Sequence, residues 1–213
     1  MDLANQLLEP IARANEQLSH ASAAAIASTA LMIAEIQAFV DDGAARSRFD
    51  AQKLILLAPG ATTLPADNVQ DYLWRLALAA EAAATNNTCS SILAGPGSES
   101  DDTGDVGLWL GAGDFSTPDR VLEGLGLGDW ARDGEVIGYR TRGVYPTYRL
   151  QVAMTEGAQA TGAELIYLLG ELEDQISFRA HATMTGGVVI FIAVGRVKGD
   201  GGWAGLAGIG TWS

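Results

Sequence analysis

The chain has 213 residues, room for one sizeable core, and its 48% hydrophobic and 18% charged composition is too apolar for a disordered segment. A net charge of −13 argues against tracking nucleic-acid phosphates, and neither half supplies a basic stripe: residues 1–105 hold 14 acids against 5 bases, residues 106–213 hold 12 against 8. Cys89 is the single cysteine, which excludes an intrachain disulfide and a disulfide-stapled secreted scaffold.

The opening residues, MDLANQLLEP, lack the basic and apolar regions of a signal peptide, so the chain is expected in the cytoplasm or within an assembled particle. From Asp2 to Val40 the sequence is alanine-rich and free of glycine, with Pro10 as a kink or a helix start. Leu7, Ile11, Ala14, Leu18, Ala21, Ala25, Thr29, Met32, Ile36 and Phe39 recur at spacings of four and three, which predicts a helix with a heptad-like seam. Asp41-Asp42-Gly43 is read as its end, through a glycine C-cap. Unbroken over 11–40, such a helix would reach ~45 Å. A compact chain of this length is only about 44 Å across, so the helix would cross the molecule or project from it. The most apolar window, Ala23 to Val40, is interrupted by Glu35 and Gln37 and is not expected to span a membrane.

Lys53 to Ala58 reads as a short strand or buried turn, closed by Pro59-Gly60. Asn68 to Ala84 reads as a second helix, with Val69, Tyr72, Leu73, Leu76, Ala80 and Ala83 on one face. Cys89, in TNNTCSS, is expected to be a buried or incidental thiol rather than a nucleophile. Ala94 to Asp105 mixes glycine, proline, serine and acids without periodicity, which predicts a linker. The expected organisation is a mainly helical half over 1–93, that linker over 94–105, and a mainly β half over 106–213.

In the second half, Val106 to Leu110 is a predicted strand. Thr117-Pro118-Asp119 offers an N-cap, a first-turn proline and a dipole-favoured acid for a short helix ending by Gly124. Glu135–Arg140 and Thr147–Met154 are candidate strands, and Ala163 to Asp174 a candidate helix. Ile176 to Val197 reads as a hairpin turning at Gly186-Gly187, followed by a glycine-rich strand from Trp203 to Trp212. A two-residue turn there would set His181 opposite Ile192 and Arg179 opposite Val194. One apolar row, Val188, Ile190, Ile192 and Val194, would then need a cover. The candidates are the N-terminal helix, the Leu165–Leu172 helix and another subunit.

Motifs that carry chemistry are sparse. Val106 to Gly126 resembles the strand–glycine turn–helix opening of a dinucleotide site, with Gly111, Gly113 and then Ser116 where a third glycine belongs. Asp101, Thr103 and Asp105 have the alternate spacing of a calcium loop. However, Val106 and Ala112 replace its turn glycine and bidentate acid. His20 and His181 have no metal-spaced partner, and no nucleophile elbow is present. Glu164, Glu171, Glu173 and Asp174 are expected along one solvated helix face.

The sequence therefore predicts an α+β fold, with a long N-terminal helix and a second helix packed with a mostly antiparallel C-terminal sheet. It points to a non-enzymatic structural subunit that assembles with copies of itself into a particle, tube, filament or phage-type virion, without cofactor or metal. The expected interface is Ile26, Met32, Ile36 and Phe39 on the helix, the row Val188, Ile190, Ile192 and Val194, and the two tryptophans Trp203 and Trp212. The alternatives are a nucleotide- or small-ligand-binding enzyme built on Gly111, Gly113 and Ser116, with Asp101 and Asp105 as weak cation ligands, and a membrane-associated protein using the N-terminal helix.

Overall fold

The computed structural model describes residues 10–11, 16, 18–41, 45–61, 63–95, 102–132, 134–139, 159–182, 187–199 and 201–211. The architecture is α+β: among the described residues, five helices pack on a seven-stranded sheet in which only one strand pair is parallel. In chain order the elements are α1 (His20–Val40), β1 (Arg48–Asp50), β2 (Ile55–Leu57), α2 (Asp67–Asn86), β3 (Val106–Ala112), α3 (Pro118–Gly124), α4 (Gly128–Ala131), β4 (Glu135–Tyr139), α5 (Gln159–Gly170), β5 (Glu173–His181), β6 (Val188–Arg196) and β7 (Gly202–Thr211). The strands lie in the order β1-β2-β3-β7-β6-β5-β4. The expected strand at Thr147–Met154 and Trp212 lie outside the described residues.

The N-terminal helix is shorter than the seam suggested. Ser19 is extended, and its hydroxyl accepts the Ser22 N–H at 3.0 Å, so α1 begins at His20 and does not run unbroken from residue 11. Its 21 residues reach ~32 Å, well short of the span expected for an unbroken helix. It ends at Val40 with Asp41 extended, and the glycine expected to cap it, Gly43, lies outside the described residues. The core stripe runs through Ala23, Ile26, Ala30, Ile33 and Gln37, turned partly away from the expected seam.

Each face of the sheet has its own helices. Trp203, on one face of β7, meets Phe115 just ahead of α3, their ring centroids 6.3 Å apart in an edge-on contact. Gly208, on the opposite face, abuts Asp105, Ser91 and Leu93, in the segment that follows α2. Gly195 of β6 shares that second face and backs onto Leu172, just after α5. Thus α2 and α5 cover one side, held together by the Tyr72 hydroxyl donating to the Leu168 carbonyl at 2.8 Å and by an Arg75–Glu164 ion pair at 3.2 Å. On the other side α3 packs under β5, with α4 and α1 alongside.

The α1 helix also closes a sheet edge. β2 pairs with β3 only from Gly107 onward. Ahead of that point the Gly104 N–H donates to the Ala25 carbonyl at 2.9 Å, and its carbonyl accepts the Thr29 hydroxyl at 2.6 Å. A helix thereby satisfies backbone groups that an open edge would leave unpaired. At the other end of α1, the buried Gln37 amide donates to the Leu125 carbonyl at 2.6 Å and accepts the Ser47 N–H at 2.9 Å.

The hairpin register differs from expectation by three residues. His181 pairs with Val189, Ala180 with Ile190, Phe178 with Ile192 and Ile176 with Val194. An odd shift exchanges the faces of one strand relative to its partner. The apolar row of β6 therefore sits beside Ala180, Phe178 and Ile176 rather than beside His181 and Arg179. The reason is burial: this register puts apolar beside apolar, and a longer connection than the two-residue Gly-Gly turn permits it. Similarly, the helix expected to run to Asp174 ends at Gly170, and Glu173 and Asp174 open β5, where both pair with Arg196.

Candidate functional site

The glycine turn after β3 is built to hold an aromatic ring. Gly111 has a left-handed φ of 83° beside a bulge in the β3–β7 ladder. Gly113 and Gly124 leave open the space that the Phe115 ring occupies, and a Cβ on either would meet that ring. From there Phe115 reaches Trp203, which is only 3% exposed. Ser116 donates its backbone N–H to Asp114, and Asp114 pairs with Arg120 of α3. An aromatic ring fills the volume a pyrophosphate would need, beside a carboxylate that would repel one. The strand that follows α3 and α4 in the chain, β4, does not return beside β3 as in a dinucleotide fold but pairs with β5 at the far edge of the sheet. What the glycines at 113 and 124 accommodate here is Phe115.

The calcium-like spacing also dissolves in three dimensions. Asp101 lies outside the described residues, while Asp105 and Thr103 point inward. The Thr103 hydroxyl donates to the Ile209 carbonyl at 2.7 Å. Asp105 is fully buried and accepts the Ser91 hydroxyl at 2.7 Å and the Ile92 N–H at 2.6 Å. Burial pushes its carboxyl up to about 6, opposed by the hydrogen bonds from Ser91, Ile92 and Leu93. Ala94, Gly95, Thr103 and Gly104 are buried as well, so both ends of the expected linker belong to the core. Among the described residues, no group of three His, Cys, Asp or Glu side chains could hold a metal ion.

The expected interface residues separate into two groups. Ile26, Ile36, Ile190, Ile192, Val194 and Trp203 are buried by their own chain. Val188 is partly buried, as is Met32, whereas Phe39 is 63% exposed. Helical spacing places Ala21, Ala24, Ser28, Leu31, Met32, Glu35 and Phe39 on the outward side of α1, where Glu35 is the one charge. This helix is long and apolar enough to cross a membrane, and half of its most apolar window is buried in the fold. Leu64 and Tyr167 are the other large apolar side chains exposed among the described residues, and periodicity did not single out either.

Comparison with protein-family models, with curated proteins and with solved structures gives no match.

Proposed function

We propose that this chain is a non-enzymatic structural subunit that associates with copies of itself through the outward side of α1. The observation that carries this reading is Phe39, largely exposed at the end of a helix whose outward stripe holds a single charge. Burying one such aromatic side chain contributes about 1.5–3 kcal/mol, and the alanines and serine beside it let a second helix come close. The β6 row and Trp203 lend no support, because the chain covers them itself. Assembly into a particle, tube, filament or virion component is the finer form of the reading.

Light scattering on the purified chain tests it. The wild type should run as an oligomer at micromolar concentration, and Phe39→Ser combined with Met32→Ser should dissociate it without loss of helical circular dichroism. A monomeric wild type overturns the proposal. Flotation with liposomes would instead favour the membrane-associated alternative.

A further inference from the structure

We propose that the cleft between the start of α2, the end of α5 and the β6–β7 turn binds a small zwitterion, an α-amino acid with a short apolar side chain. The cleft has a volume of about 220 Å³. Drug-sized ligands occupy pockets of ~300–1,000 Å³, so its occupant is smaller than those. Val69 and Leu172 form a buried apolar floor, and the partly buried Val197 continues it. The rim carries charge of both signs, Lys198 from the turn and Glu171 from beyond α5.

The inference rests on how these groups are left. Lys198 and Glu171 line one cleft yet form no ion pair with each other, and among the described residues neither the Lys198 ammonium nor the Asn68 amide has a side-chain partner. The Glu171 carboxylate is exposed at the cleft rim and has lone pairs to offer a donor. The Tyr72 hydroxyl is already used on the Leu168 carbonyl, so the free donors are Lys198 and Asn68. A ligand carboxylate would meet those two donors, a ligand ammonium would meet Glu171, and a short apolar body would lie on Val69 and Leu172. A ligand with one charge leaves the opposite rim group as it was, so the cleft favours a molecule bearing both.

Nitrogen–proton NMR titration of the full chain tests this with L-valine, isovalerate and isobutylamine as probes. Valine should give saturable shifts at the Asn68, Val69 and Lys198 amides, with several-fold weaker binding for either half-molecule. Lys198→Met should weaken valine and isovalerate while leaving isobutylamine unchanged, and Glu171→Gln should weaken valine and isobutylamine while leaving isovalerate unchanged. Absence of saturable shifts in the cleft overturns the proposal, as does binding that neither variant alters. No residue of α1 lines the cleft, so the titration is run on the dissociated Phe39→Ser, Met32→Ser chain as well as on the wild type, and its failure and that of self-association are distinguishable.

Discussion

Asp105 accepts the Ser91 hydroxyl at 2.7 Å inside the core, joining the strand-bound segment ahead of β3 to the turn that follows α2. The same carboxylate takes the Ile92 N–H, while Gly104, one residue earlier, bonds to α1 and Thr103 to β7. Three successive residues thus tie three different elements together. The arrangement makes stability depend on pH. The unfolded carboxyl titrates near its ordinary value of 3.8, the folded one at about 6. Between those values the folded state keeps a proton that the unfolded chain has released, so this group's contribution is complete below pH ~4 and is lost as pH rises through 6. The loss is roughly 3 kcal/mol at ~1.36 kcal/mol per pH unit. Urea unfolding across this range should show it, and Asp105→Asn should flatten the slope. An unchanged slope in Asp105→Asn sinks the assignment.

Gly208 has no room for an added methyl. Its Cβ would enter the Asp105 and Ser91 side chains, and the neighbouring Leu93 leaves no room for them to withdraw. Gly208→Ala should cost about 1–3 kcal/mol by overpacking. In an Asp105→Ala background, where one obstruction is gone, the cost should fall clearly, since contacting residues are not additive. A full double-mutant cycle in urea reads the coupling.

Cys89 should be a sluggish thiol. Burial, and after it the charge of Asp105, push its thiol up to about 11. Little thiolate exists at pH 8, so alkylation of the folded protein should be far slower than in urea. Asp105→Asn removes the nearby charge and should speed alkylation in the folded state; fast modification of the native wild type would contradict the placement.

Phe115→Ala empties the space that Gly113 and Gly124 leave open and uncovers Trp203. Phe115 is only partly buried, so the loss should be about 2–4 kcal/mol, near the lower end for aromatic truncation. The indole should become wetter, visible as a red shift in tryptophan emission. Unchanged emission would show that Trp203 is covered by something else.

Local signals in the sequence determined a good deal. Thr117-Pro118-Asp119 announces α3 because a hydroxyl cap, a proline and an acid each favour a helix start, and α3 runs Pro118–Gly124. Apolar spacing located α2 within two residues at either end, alternation located most of β5, and a nearly continuous apolar run located β6. What tertiary structure decided was every question of partner. The hairpin register depends on which side chains α3 and α5 bury, and spacing along one strand does not contain that information. Whether Asp105 faces water or Ser91 depends on a segment fourteen residues away. The glycines at 113 and 124 resembled a phosphate loop because backbone clearance looks the same for a ligand and for Phe115. Periodicity reports that a face is apolar; only the packed chain shows which neighbour removes it from water.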